Sequence, residues 1–121
     1  MKIVITSYGE DLTSKTDKSF GRAKWFILVD TETGAFEAHA NEQNVNAPQG
    51  AGIQAAQNVA NLGAEAVLTG NVGPNAFRVL SAASIKIYII KGDNTVQEAL
   101  SEWKQGNLEE TSESTIEGHW V

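Results

Sequence analysis

The sequence predicts an α/β fold in which one mixed β-sheet carries helices on both faces. Three observations predict it. Residues 1–41 contain an apolar strand and the pattern of a β-hairpin. After them, segments with apolar residues at helical spacing alternate with short apolar strands. Units of the strand–helix–strand type join parallel strands through right-handed crossovers. The 121 residues, 41% of them hydrophobic, are enough for one domain with its own core.

The N-terminal third predicts one strand and a β-hairpin. Residues 2–6 form an apolar strand, which a polar loop over 7–18 follows. Residues 25–29 are apolar at every position, as is typical of a central strand that is covered on both faces. After a tight turn, residues 35–41 alternate apolar and polar side chains, so they suit an edge strand with one face in water.

The rest of the chain alternates helices and strands. Apolar side chains recur at helical spacing in three segments and form two short strands between them, with helices at 50–62, 74–83 and 95–105 and strands at 66–69 and 85–90. Thr95 and Glu98 have the spacing of a capping box at the start of the third helix. Gly63 and Gly106 are the expected ends of the first and third helices.

Residues 66–77 carry the strongest functional signal. A buried strand ends at Gly70, which is predicted to adopt backbone angles closed to other residues, and Pro74 suits the first position of a helix. The first four N–H groups of a helix lack intrahelical partners, and the helix dipole adds partial positive charge. We therefore expect residues 73–76 to be able to hold an anion. An ordinary strand-to-helix turn is the alternative.

A second motif, Ser-Phe-Gly-Arg at residues 19–22, lies in the connection between the first two strands. Ligands of such sheets lie at the carboxyl ends of the parallel strands, near the point where the strand order reverses. This connection and the turn at 70–75 are predicted to meet there. Arg22 is a candidate guanidinium contact for an anion, and a surface ion pair with Asp30 or another carboxylate is the alternative.

Charge and composition exclude several classes of protein. The net charge is −6, and acidic and basic residues balance over residues 1–92, so the whole excess lies in the C-terminal part. Without a basic surface there, nucleic acid is not an expected partner. The N-terminus lacks the pattern of a secretion signal and no apolar run approaches 18 residues, so we expect a soluble cytoplasmic protein that does not enter the membrane.

The chemistry-bearing residues do not predict an enzyme. The chain has no cysteine, which excludes thiolate nucleophiles and Cys-ligated metals. His39 falls on the edge strand and His119 near the C-terminus, so both are weak ligand candidates. Asp30 and Glu32 belong to a hairpin turn, where acids are ordinary, and no P-loop or Ser/His/Asp set is evident.

The order of three motifs resembles the dinitrogenase iron-molybdenum cofactor biosynthesis family. The motifs are Ser19-Phe20-Gly21-Arg22-Ala23, Gly50-Ala51-Gly52-Ile53-Gln54-Ala55-Ala56 and Thr69-Gly70-Asn71-Val72-Gly73-Pro74-Asn75-Ala76-Phe77. The resemblance covers nearly all of residues 1–105 and implies a three-layer α/β/α, ribonuclease H-like domain. It implies a five-stranded mixed sheet of order 3-2-1-4-5, with strand 2 antiparallel.

Residues 106–121, acidic and rich in Ser and Thr, are expected to form a flexible tail.

The resemblance implies a non-catalytic carrier of an anionic iron-sulfur or iron-molybdenum type cluster, with a protein partner for delivery. The expected ligand contacts lie in the first and third motifs: Ser19, Phe20, Gly21, Arg22, Gly70, Asn71, Gly73 and Asn75. Several NifX-type members have a His where this chain has Ser19, and a hydroxyl is a poor iron ligand, so no metal ligand is assigned. The alternatives are a small-anion or nucleotide-responsive accessory protein and an adaptor that binds through the acidic tail.

Overall fold

The computed structural model describes residues 1–43 and 45–115. The helices and strands are, in chain order, β1 Lys2–Ser7, β2 Trp25–Asp30, β3 Phe36–Ala40, α1 Ala51–Asn61, β4 Ala66–Thr69, α2 Pro74–Ala82, β5 Lys86–Ile89, α3 Val96–Lys104 and β6 Glu109–Glu110. Two sequence-based expectations, a weak ligand role for His119 and the last six residues of the tail, lie outside the described residues.

One six-stranded sheet runs through the molecule in the order β3-β2-β1-β4-β5-β6. Strands β1, β4 and β5 are parallel, and β2 is antiparallel to both β1 and β3. The predicted order 3-2-1-4-5 and the antiparallel second strand are therefore confirmed. The predicted number of five strands is wrong, because Glu109 and Glu110 add a sixth strand antiparallel to β5.

Helices cover both faces of the sheet, as predicted. Successive side chains of a strand point to opposite faces, so Val4 of β1 joins the core under α1 and α2, whereas Ile3 and Ile5 join the core under α3. All three side chains are fully buried. In the described ranges, no helix is both long and apolar enough to cross a membrane.

The segment after α3 returns to the sheet. Beyond β6, the N–H of Thr111 donates to the carbonyl oxygen of Ile87 at 2.8 Å, and Thr115 bonds to Val72. The division into a domain at 1–105 and a tail at 106–121 stays a prediction. Up to Thr115, however, the chain contacts the strand and the turn that it passes.

Candidate functional site

The two glycine motifs meet at the carboxyl ends of β1 and β4, where the strand order reverses. Ser19 and Asn71 form an isolated parallel bridge. The N–H of Asn71 donates to the carbonyl oxygen of Lys18 at 2.6 Å, and the N–H of Phe20 donates to the carbonyl oxygen of Asn71 at 3.2 Å. Two main-chain hydrogen bonds therefore join the connection after β1 to the turn after β4.

A cleft of about 320 Å³ lies where the motifs meet, a volume at the lower end of the usual range for small-ligand sites. Its lining consists of residues 19–22, 50–53, 71 and 73–76. Every predicted contact residue except Gly70 belongs to this lining. Residues 50–53, at the start of α1, form a third wall that we did not predict as a site. Their Gly-Ala-Gly sequence was the available signal.

Gly70 lies next to the cleft lining and does not belong to it. The structure requires glycine at this position for a reason other than the predicted one. Its φ is not in the left-handed region, which glycines occupy only at Gly34, Gly63 and Gly106 among the described residues. A Cβ atom at Gly70 would instead lie 2.6 Å from the Cβ and 2.8 Å from the Cα of Lys18. Glycine is needed at this buried position because the neighbouring chain approaches so closely.

The N-termini of α1 and α2 both open into the cleft. Their N-cap residues are Gly50 and Gly73, neither helix has a side-chain cap, and neither has an acidic residue in its first turn. Helix α3, which lies elsewhere, differs because Thr95 and Glu98 form the predicted capping box. The donor groups of the first turns of α1 and α2 thus combine with two partial positive charges at one place.

Small residues allow the three walls of the cleft to approach each other. A Cβ atom at Gly21 would lie 3.2 Å from the Cα of Gly52, and one at Gly52 would lie 3.3 Å from the Cβ of Ala76. Both distances are tighter than ordinary van der Waals contact. The Gly21 loop, α1 and α2 are therefore in contact through main chain and a single methyl group.

Arg22 supplies the one charged side chain in the described lining of the cleft. It is exposed, and no carboxylate of residues 1–43 and 45–115 forms an ion pair with it. The alternative, an ion pair of Arg22 with Asp30 or another carboxylate, is not found among the described residues. Oδ1 of Asp30 accepts the N–H groups of Glu32 and Thr33 in the hairpin turn. The hydrogen bond from Glu32, followed by that from Thr33, lowers the pKa of Asp30.

Phe20 and Ser19 position the loop that carries Arg22. The Phe20 ring is buried and stacks on Phe26 with 5.7 Å between the ring centroids, so it anchors the loop in the core. The N–H of Ser19 donates to Oδ1 of the buried Asp17 at 3.0 Å. Both residues line the cleft, but the Phe20 ring is almost wholly buried and packs in the hydrophobic core.

Two amide side chains that the sequence analysis did not single out hold the Gly21 loop. Nδ2 of Asn41 donates to the carbonyl oxygens of Gly21 and Ala23, at 3.2 and 2.9 Å. Nε2 of Gln43 donates to the carbonyl oxygens of Gly21 and Ala51, at 2.7 and 3.1 Å. Gln43 thereby ties the loop to the start of α1. Polar residues in a loop after an edge strand give no local sign of such a role.

The site offers hydrogen-bond donors and lacks the usual metal ligands. No Cys, His, Asp or Glu occurs in its described lining. Within residues 1–43 and 45–115 there is also no group of three or more such residues that could hold a metal ion. Nε2 of His39 contacts Glu37 at 3.1 Å on β3, outside the cleft.

Fold and cleft together define a class of small α/β domain with a cleft lined by hydrogen-bond donors at the carboxyl edge of its sheet. The chain belongs to the dinitrogenase iron-molybdenum cofactor family, whose family model matches residues 1–106. The resemblance seen in the three motifs is thereby confirmed.

Proteins of known structure share the fold closely. The apo form of the orange protein from Desulfovibrio gigas superposes with a TM-score of 0.89 and 37% identity over 95% of this chain and 96% of that one. A putative NifB protein from Thermotoga gives a TM-score of 0.81 and 38% identity over 97% and 98% of the two chains.

A relative is also found by sequence. An uncharacterized protein of Methanocaldococcus jannaschii is 31% identical over 93 residues, which are 74% of this chain and 77% of the relative.

Proposed function

We propose that this chain is a non-catalytic carrier that holds an anionic cluster of the iron-sulfur or iron-molybdenum type in the cleft. One observation carries the proposal. Two helices begin at the same cleft with glycine N-caps and no capping side chain, and Arg22 stands beside them without an ion-pair partner among the described residues. Membership of the dinitrogenase iron-molybdenum cofactor family supports the choice of ligand class.

The lining determines how such a cluster would be held. Peptide N–H groups, the Arg22 guanidinium and the amides of Asn71 and Asn75 are hydrogen-bond donors. Thiolates and imidazoles, which ligate iron in proteins, do not occur in the described lining. The protein would therefore contact the sulfide or oxide ligands on the outside of a preassembled cluster. The orange protein, whose structure is similar to this chain, was solved in its apo form. This agrees with a ligand that can dissociate while the protein stays folded.

The strength of these contacts favours a ligand with many acceptor atoms. A helix N-terminus contributes roughly 0.3 to 1 kcal/mol to an exposed anion and up to about 2 kcal/mol in a partly buried site. Two N-termini and one charge-assisted hydrogen bond from Arg22 together approach the roughly 4 kcal/mol that corresponds to a millimolar Kd. A single small anion would bind weakly, whereas a cluster that reaches all three walls could bind more tightly.

A carrier must also release its cargo, so the proposal includes a protein partner that receives the cluster. A cleft open at the edge of the sheet, with no metal-ligating side chain in its described lining, would allow transfer without breaking a protein–metal bond. We place this transfer in the cytoplasm.

A second candidate is an accessory protein that responds to a small anion or nucleotide and binds no cluster. Ser19 favours it, because this residue stands where several family members have a His and its hydroxyl is a poor iron ligand. The same donors that would hold sulfide would hold phosphate.

Anaerobic titration separates the two candidates. The protein is mixed with a synthetic iron-sulfur cluster or isolated iron-molybdenum cofactor, passed through gel filtration, and assayed for visible absorption and iron. Inorganic phosphate is titrated in parallel while the amide resonances of residues 70–76 are followed. Retained absorption supports the carrier. Phosphate-dependent shifts at residues 70–76 without retained cluster support the second candidate. No retained cluster together with unmoved resonances at residues 70–76 contradicts both.

A further inference from the structure

The segment after β6 returns to the turn that borders the cleft. Thr115 makes three hydrogen bonds to Val72. Its N–H donates to the Val72 carbonyl oxygen at 2.9 Å, its Oγ1 accepts from the Val72 N–H at 2.7 Å, and the same hydroxyl donates to that carbonyl oxygen at 3.2 Å. Val72 is fully buried and lies between Asn71 and Gly73, which both line the cleft.

The turn is consequently held from two sides. On one side, the N–H of Asn71 donates to Lys18 and its carbonyl oxygen accepts from Phe20. On the other side, the N–H of Val72 donates to Thr115 and its carbonyl oxygen accepts from Thr115. Gly73 comes next and is the N-cap of α2, with no side chain of its own to fix it. The direction in which α2 presents its first N–H groups thus depends on these main-chain contacts.

We propose that Thr115 is a positioning residue of the cleft, whose hydroxyl fixes the Asn71–Gly73 turn and thereby the N-terminus of α2. The matched family region ends at residue 106, so this support comes from a part of the chain beyond it. The consequence for ligand affinity rests on the proposed function. The consequence for the order of the turn does not, and it can be measured without any ligand.

The hydroxyl is the atom to remove. Thr115→Val keeps the volume and the β-branch but leaves the buried Val72 N–H without its acceptor, an arrangement that folded proteins avoid. Thr115→Ser keeps the hydroxyl. Thr111→Val is the matched control, because the Thr111 hydroxyl donates to the carbonyl oxygen of Glu113 within the same segment and not to the turn.

Amide hydrogen exchange of the ligand-free chain is measured for the wild type and the three variants, together with the affinity for inorganic phosphate. In Thr115→Val we expect exchange at Val72 to be about tenfold faster, the effect of losing one buried hydrogen bond, and phosphate affinity to fall several-fold. Thr115→Ser and Thr111→Val should match the wild type in both measurements. Exchange in the strands β1 and β4 should be unchanged in all variants.

Two results would overturn the positioning role. One is unchanged exchange over residues 71–76 in Thr115→Val, and the other is faster exchange in that variant with unchanged phosphate affinity. If the wild type binds neither phosphate nor a cluster, the proposed function fails, and the exchange rates still decide whether Thr115 orders the turn.

Discussion

Lys18 lies directly against Gly70, so close that a single methyl group would not fit between them. The Cβ of an alanine at position 70 would meet the Cβ and Cα of Lys18 at 2.6 and 2.8 Å. The contact matters because the Lys18 carbonyl accepts the N–H of Asn71, one of the two hydrogen bonds that join the connection after β1 to the turn after β4.

Gly70→Ala should therefore displace the connection after β1. We expect a loss of about 1 to 3 kcal/mol in the free energy of unfolding, as for other overpacked sites, together with weaker anion binding. Denaturant unfolding and phosphate titration measure the two effects. Gly73→Ala is the steric control for the unfolding measurement alone, because its Cβ would meet nothing within 4 Å but Gly73 itself lines the cleft. A Gly70→Ala protein with unchanged stability would contradict the close approach.

Gly73→Asp should stabilise the fold and block the site. The backbone at Gly73 is extended, as an N-cap requires, and there is room for a side chain. An aspartate there can accept the free N–H groups of Asn75 or Ala76. We expect a gain of a few tenths of a kcal/mol over the glycine cap, and roughly 0.3 to 1 kcal/mol more from the negative charge at the helix N-terminus. The same carboxylate would occupy the donors that an anion needs.

Thermal unfolding of Gly73→Asp measures the expected gain in stability, and phosphate titration measures the expected loss of anion affinity. Gly73→Ser supplies a neutral cap and should raise the Tm with a smaller loss of affinity. Phosphate binding to Gly73→Asp as tight as to the wild type would show that the N-terminus of α2 does not bind anions.

Arg22→Gln should weaken anion binding without affecting the fold. A hydrogen bond from a charged group is worth about 1.5 to 3 kcal/mol, so the Kd for phosphate or a cluster should rise about tenfold or more. Because Arg22 is exposed, the free energy of unfolding should stay within about 0.5 kcal/mol. Arg78→Gln, on an exposed position of α2 outside the cleft lining, removes the same charge and should leave the Kd unchanged.

Ser19→His should increase the iron that the chain retains. An imidazole offers iron a nitrogen ligand that the Ser19 hydroxyl does not replace. The measurement is iron content after anaerobic gel filtration of both proteins loaded with the same cluster. Ser81→His adds an imidazole to the exposed surface of α2 and should retain no more than the wild type. Equal iron in the wild type and the Ser19→His variant would remove this position from the ligand contacts.

The sequence predicted the parts of the structure that local patterns encode. The apolar run at 25–29 and the alternation at 35–41 identified the hairpin, and the topology brought the two glycine motifs to one edge. It could not predict β6, because two exposed glutamates carry no strand period and pair only with the free edge of β5. It also could not predict the contact of Thr115 with Val72, which joins residues 43 positions apart. On the Val72 side this contact uses only main-chain groups, which carry no sequence signal.

The glycine-rich walls of the cleft have a consequence for how its chemistry can change. Where main chain recognises a ligand, a point mutation can obstruct a donor but cannot convert it into a different functional group, because every residue except proline carries the same N–H. The close contacts among Gly21, Gly52 and Ala76 leave little room for an added side chain there, whereas Gly73 has room for one that obstructs the donors. New specificity in this scaffold would have to arise at the few rim positions that carry a side chain into the opening, such as Ser19 and Arg22.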